Sequence, residues 1–304
     1  MKRRDFFKKS IGASVLAGAT FSLGSLEPLM AAPPALPYDL VALLGGPPDL
    51  LFDKGIAALG GMKKFVKKGQ RVVIKPNIGW DKAPEFAANT NPHLVKRIVQ
   101  HCFQAGAKEV LVFDHTCHEW TKCYRNSGIE EAVQSAGGKM IPAHTESYYR
   151  NVTIKGAKRL TETKVHEAML NADVFINVPI LKHHSSSKAS IGMKNLMGVV
   201  WDRGYYHKND LNQCIADFML FKRPTLTVVD AYNAMVKNGP VGVSTSDLVN
   251  LKALIIGVDP VATDAAAIKF LDKSPHDIGH IRIAAEMGIG QIDIDKLRIK
   301  RIKV

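Results

Sequence analysis

The chain has 304 residues, 46% of them hydrophobic and 23% charged, with a formal net charge of +13. That balance belongs to an ordinary globular protein with enough residues for a sizeable core, and four cysteines in such a length exclude a disulfide scaffold. The basic residues are dispersed, with no recognition motif and no aromatic-interleaved basic patch, so nucleic acid is not expected as a partner and a small anionic molecule or anionic surface is.

The N-terminus reads Lys2-Arg3-Arg4-Asp5-Phe6-Phe7-Lys8-Lys9, followed by an uncharged stretch from Ser10 to Leu26 and by Ala31-Ala32-Pro33-Pro34. A basic segment, a weak apolar segment and small residues before prolines describe a cleavable export signal. The stretch falls short of the ~20 strongly apolar residues of a spanning helix, so no stable membrane span is expected after cleavage. The arginine pair resembles the twin-arginine motif, which implies the twin-arginine translocase as partner during export and a folded protein in the periplasm, or otherwise outside the cytoplasmic membrane. Residues 1–32 are read as this signal, 33–38 as a Pro-rich linker and 39–304 as a single domain; removing residues 1–32 lowers the net charge from +13 to +10.

Strands are predicted at Asp39–Gly45, Arg71–Lys75, Glu109–Phe113, Val174–Val178, Leu226–Val229 and Leu254–Val258, each an apolar run of strand length. Helical patterns lie between several of them, one opening at Asn91-Pro92 and passing through Val95, Ile98, Val99 and Cys102. Such a series predicts an α/β fold with a mostly parallel sheet and helices on both faces, with residues 182–221 read as a small capping insertion.

Polar residues crowd beyond the predicted strand ends, where open parallel sheets bind ligands. They include Lys75, Asn77, Trp80 and Asp81 after the second strand, and Asp114, His115, Cys117 and His118 after the third. Lys182, His183 and His184 follow the fourth, while Asp230 and Asp259 follow the last two. Five strand ends are thereby assigned to one rim. His115, Cys117, His118 and Cys123 offer two imidazoles and two thiols within ten residues, a density suited to a transition metal or metallocofactor, although their spacing matches no standard site and a Cys117–Cys123 disulfide is an equal reading. Serines 185–187 before a helix bearing Lys194 and Asn195 suggest a helix cap and an anion seat. Asp259-Pro260 reads as a helix start of mainly structural meaning. Neither a Gly-x-Ser-x-Gly elbow nor a Walker loop occurs, so hydrolase and nucleotide-triphosphatase readings lack support.

The series Lys75-Pro76-Asn77, Thr90-Asn91-Pro92, Gly106-Ala107-Lys108-Glu109-Val110, Asn177-Val178-Pro179-Ile180-Leu181-Lys182-His183-His184, Gly192-Met193-Lys194-Asn195-Leu196-Met197-Gly198 and Asp259-Pro260-Val261-Ala262-Thr263-Asp264 resembles the domain-of-unknown-function 362 family (DUF362), over about residues 39–298. Some relatives carry an iron-sulfur cluster domain of ferredoxin type, which ties the family to redox work; this chain has no Cys-x-x-Cys set. The exported branch is the one resembled, and the resemblance adds the Asn77–Asp81 loop, the Asp114–Cys123 loop and the Trp201–His207 segment, with His207, to the expected site.

Two classes of function fit. One is an enzyme, an oxidoreductase or isomerase, in which His183, His184 and the Cys117 loop hold a metal or metallocofactor while Lys75 and Lys194 fix an anionic substrate. The nickel-pincer lactate racemase, with lysine and paired histidines around its cofactor, is a loose analogy. The other is a binding or cofactor-maturation protein that carries such a ligand unchanged. Folded export favours the first.

Overall fold

A computed structural model describes residues 36–304; the export signal assigned to residues 1–32, and the first half of the linker, lie outside the described residues. Twelve strands follow in order: β1 (Leu40–Leu44), β2 (Arg71–Pro76), β3 (Glu109–Val112), β4 (Lys139–Met140), β5 (Tyr149–Thr153), β6 (Glu162–His166), β7 (Val174–Val178), β8 (Ile180–His184), β9 (Lys188–Ser190), β10 (Leu226–Met235), β11 (Leu248–Gly257) and β12 (Ile299–Lys303). The helices are α1 (Pro48–Ala58), α2 (Pro92–Gln104), α3 (Trp120–Asn126), α4 (Ile129–Ser135), α5 (Glu167–Leu170), α6 (Gly192–Asn195), α7 (Arg203–Lys208), α8 (Leu211–Phe221), α9 (Pro260–Ile268) and α10 (Gly279–Glu286).

The main sheet runs β12-β1-β11-β10-β7-β2-β3-β4, with β8 beside β10 and β9 beside β8; β5 and β6 pair separately. Most pairings are parallel, as expected of apolar strands covered on both faces. Side-chain alternation explains the layers. Val72 and Ile74 face α1, α2 and α4, whereas Val73 faces α8, α9 and α10, so β2 has no polar face. The helices start where local chemistry allows: Asn91 Oδ1 accepts from the backbone N–H of His93 at 2.9 Å with Pro92 at the first helical position, and Asp259 Oδ1 does the same for Val261 at 2.8 Å before Pro260.

Two expectations change. β11 runs antiparallel to both β10 and β1, so its end at Gly257 and the following Asp259 lie at the opposite rim; Asp230 falls inside β10 rather than at its end, where it accepts from Asn91 N–H, and three of the five assigned strand ends share the site rim. The two strands are longer than read from sequence and form a hairpin through residues 236–247, a link without the crossover helix that a parallel pair requires. Second, residues 182–184 are not the start of a cap. β8 continues β7 past Pro179 and turns through Ser185–Ser187 into β9, so the serines make a hairpin turn, and α6 opens without a side-chain cap from its own N-cap residue, Ile191. The helices that follow belong to the layer over one sheet face, where α8 packs beside α10. Among the described residues no helix is long and apolar enough to cross a membrane.

Helix α1 approaches the sheet at Gly55, where an added Cβ would stand 2.6 Å from Ile256 Cδ1 and 2.9 Å from Leu43 Cδ1. Gly55→Val is therefore expected to lower unfolding free energy by about 1–3 kcal/mol, read as a lower urea midpoint at unchanged slope.

Candidate functional site

A cavity of about 320 Å³ opens beyond the carboxyl ends of β2, β3 and β7–β8. Of the residues expected there, Lys75, Asn77, Trp80, Asp114, His115, Cys117, Lys182, His184, Lys194, Asn195 and His207 line it. Lys75 and Lys194, 119 positions apart, are thus brought to one place by the strand order.

The floor is a filled polar network. Lys75 Nζ lies 2.8 Å from Asp114 Oδ1, both side chains almost wholly buried, and donates to Asn195 Oδ1 at 3.0 Å and Pro76 O at 2.7 Å. Asn195 is the hub: its Oδ1 also accepts from Asn77 Nδ2 at 3.0 Å, and its Nδ2 donates to Asn177 Oδ1 at 2.8 Å and Lys75 O at 3.2 Å. The other oxygen of Asp114 accepts from the backbone N–H of Ile78 at 2.7 Å. A buried pair of this kind holds only when its partners are all in place. Gly198 is what admits it, since a Cβ there would lie 1.9 Å from Asp114 Oδ1 and 2.7 Å from Lys75 Nζ.

Two further ammonium groups reach the same cavity from different elements. Lys182, on β8, donates to Ala88 O at 2.6 Å and Asn77 Oδ1 at 3.0 Å. Among the described residues Lys194, on α6, has only the thioether of Met197, 3.4 Å away, as a hydrogen-bond acceptor, although the residue is just 8% exposed. α6 is seated by Asp264 of α9, whose carboxylate accepts from the backbone N–H groups of Gly192 at 2.8 Å and Met193 at 3.0 Å. Arg203 supplies a fourth cation. It donates to His115 O at 2.9 Å, Thr116 O at 2.7 Å and Cys117 Sγ at 3.1 Å.

Burial dominates the protonation of these groups. It pulls Lys182 down to about 7 and Lys194 down to about 8; for Lys182 the Lys75 and Lys194 charges act in the same direction, against partial relief from Cys117 and Asp114. Lys75 is also lowered by burial, which outweighs the Asp114 carboxylate. His184 is pushed down to about 3 by burial and by the neighbouring Lys194 and Lys182 charges. Its Nδ1 accepts the backbone N–H of Ser186 at 3.1 Å, so the ring is neutral and carries its proton on Nε2. Near neutral pH the groups poised to change charge here are therefore Lys182 and Lys194, while His184 stays neutral.

Four expected residues lie elsewhere. His183 alternates with Lys182 and His184 on a strand, so it faces away from the cavity and accepts from Gly239 N–H at 3.2 Å. The two histidines do not act as a pair. Asp81 bonds Asn126 Nδ2 at 2.6 Å, and His118 Nδ1 accepts from Asp81 N–H at 3.3 Å with its ring edge-on to Trp80. Cys123 is buried, Cys117 is exposed and both thiols are free. His115 stacks on Trp201, its Nδ1 3.0 Å from Val200 O. The set His115, Cys117, His118 and Cys123 thus does not converge, and among the described residues no three His, Cys, Asp or Glu side chains do so in a way that could hold a metal ion. Four cations around the cavity also repel a bare metal ion, whereas they suit an anionic ligand or a metallocofactor that is itself anionic.

Sequence reading missed Arg203, Gly198, Asn177 and Asp264 as parts of the site. Asn177, Gly198 and Asp264 stand in the motif series already quoted, and Arg203 in the Trp201–His207 segment, but none announces a role without the tertiary contact. Gly198→Ala is expected to break the Lys75–Asp114 pair and to cost at least ~3 kcal/mol, the scale of uncoupling a buried ion pair, measured as a fall in thermal midpoint.

Comparison with known proteins follows the same lines. A thylakoid-associated protein of Synechocystis sp. is 28% identical over 239 residues, which are 76% of this chain and 72% of the relative. The lactate racemase apoprotein of Thermoanaerobacterium thermosaccharolyticum aligns with a TM-score of 0.45 at 12% identity over 74% of this chain; the chain spans about half of that structure, 55%. The family described as Domain of unknown function (DUF362) matches residues 72–269, well over half of the chain and all of the strands that build the cavity floor. The chain belongs to the DUF362 family.

Proposed function

We propose that the cavity binds a small carboxylate or phosphate-bearing molecule and that Lys182 and Lys194 move protons on it, an isomerising enzyme by class. One observation carries the reading: two lysines more than nine-tenths buried, one with no oxygen acceptor, converge with Lys75 and Arg203 on a space of about 320 Å³. An ammonium held in such surroundings without a counter-ion is stabilised when an anion arrives. Lysines poised between about 7 and 8 can donate and accept protons near neutral pH, the condition for general acid–base work. Redox chemistry with a metallocofactor enters this reading only through an anionic cofactor seated among the same cations. A carrier that leaves its ligand unchanged is the second reading, favoured by the filled hydrogen bonds of Lys75 and Asn195, which leave those two groups fixed.

Calorimetry tests the anion site. In the free protein the two lysines lose protons as pH rises through about 7 and 8, and a bound anion raises both values, so binding takes up protons in that range and affinity falls as pH rises. Titration of the mature chain with pyruvate, lactate or inorganic phosphate is expected to show proton uptake at pH 8 and affinity falling by roughly tenfold per pH unit for each lysine titrating. Lys194→Met is expected to weaken binding by at least ~1.4 kcal/mol. pH-independent affinity, or none for any of the three, counts against the site.

We further propose that the protein works outside the cytoplasmic membrane after twin-arginine export, on the strength of Arg3-Arg4 and the uncharged stretch behind them. Replacing both arginines by lysine keeps the charge and is expected to retain the precursor in the cytoplasm on fractionation.

A further inference from the structure

Cys117 is the one thiol among the described residues that is exposed; Cys102, Cys123 and Cys214 are buried. It stands on the wall of the cationic cavity, its Sγ accepting from Arg203 Nη1 at 3.1 Å. Arg203 spends its remaining contacts on two backbone carbonyls, and among the described residues its Nε and one N–H of Nη2 have no acceptor. Lys194, more than nine-tenths buried and without an oxygen acceptor among the described residues, lines the same space, as does Lys182. A carboxylate drawn to these cations brings its neighbouring carbon within reach of the sulfur, since donor and sulfur are already in contact.

We infer that Cys117 is a covalent attachment point for small carboxylates whose carbon next to the carboxylate is electrophilic, 2-oxo acids by class. The inference rests on the anion-site reading above and names the substrate class of that site. In the step, a bond forms between Sγ and the C2 carbon, the carbonyl electron pair moves to its oxygen, that oxygen takes a proton from the Lys194 ammonium, and the thiol proton restores the lysine. The product is a hemithioketal. No oxidant or reductant is involved, and the addition is reversible. The positive potential gathers anionic electrophiles at the sulfur and does nothing for neutral ones.

Iodoacetate is a probe of the same shape, with its electrophilic carbon beside a carboxylate; attack forms the S–C bond and releases iodide. The mature native protein is treated with iodoacetate and, separately, with neutral iodoacetamide, and adducts are assigned by peptide mass mapping, with the three buried cysteines as internal controls. Cys117 is expected to react at least about tenfold faster with iodoacetate, a preference that collapses toward one in molar salt and in Lys194→Met, and pyruvate is expected to slow the labelling. Equal rates, faster reaction with iodoacetamide, or no protection by pyruvate overturns the inference. The salt arm needs no variant to fold. Calorimetry on Cys117→Ser separates the two readings: retained anion binding without anionic labelling preference in the native protein leaves the anion site standing and removes only the covalent step.

Discussion

The ion pair between Lys75 and Asp114 joins the ends of two neighbouring strands inside the protein, and the remaining site residues are arranged around its charge balance. One carboxylate answers one ammonium. Lys182 and Lys194 then enter the same space with no carboxylate of their own, and the low dielectric that strengthens the first pair makes the other two charges costly. Their depressed proton affinity is the physical sign of that cost. Asn195 is what keeps the arrangement from collapsing, because it meets Lys75, Asn77 and Asn177 with every hydrogen-bonding position of its amide used. An anion placed among the lysines removes the imbalance, which links the fold's least favourable feature to its proposed purpose.

Support for that arrangement comes from some distance. Asp264, fully buried on α9, is pushed up to about 7 by burial, yet it accepts two backbone N–H groups that open α6. Its contact fixes the height at which Lys194 and Asn195 emerge. Gly192 leaves the necessary room, since a Cβ there would lie 2.6 Å from Asp264 Oδ1. Gly198, in the 3-10 turn Leu196–Val199 that follows α6, does the same for Asp114. Gly192 and Asp264 behind the cavity, with Gly198 on its wall, therefore determine where its two central side chains stand.

Much of the sheet was legible in the sequence because strands buried on both faces must be apolar throughout, and Val72-Val73-Ile74 and Val174-Phe175-Ile176 are. The rim rule then located Lys75, Asn77, Asp114 and Lys182 without any contact information. Strand direction was less legible. The reversal of β11 goes with the absence of a crossover α-helix between Met235 and Leu248, where the link holds only a 3-10 turn at Thr245–Asp247. The histidine pair was misjudged for a related reason: read as loop, His183 and His184 share a site, while on β8 their side chains must part. The metal set failed because nearness in sequence is not convergence in space, and the loop from Asp114 to Cys123 turns each donor to a different neighbour. Arg203 stood in the Trp201–His207 segment that the resemblance marked, but its role was not legible, since its partners lie 86 to 88 positions earlier in the chain.

The run of β7 through Pro179 into β8 divides the cavity by stiffness. Lys182 rides on a strand continuous with the middle of the sheet, and Lys75 and Asp114 end strands beside it. Trp80, Arg203 and His207 come instead from a loop and from the one-and-a-half-turn helix α7, whose outer side chains face solvent. The sheet thus fixes Lys182 and the Lys75–Asp114 pair, while one cation, Arg203, comes with the loop half. On the proposed reading, exchange of one anionic ligand for another needs changes in the loop half alone, with the lysines of the interior left in place, so that new specificities need not begin by rebuilding a charged interior.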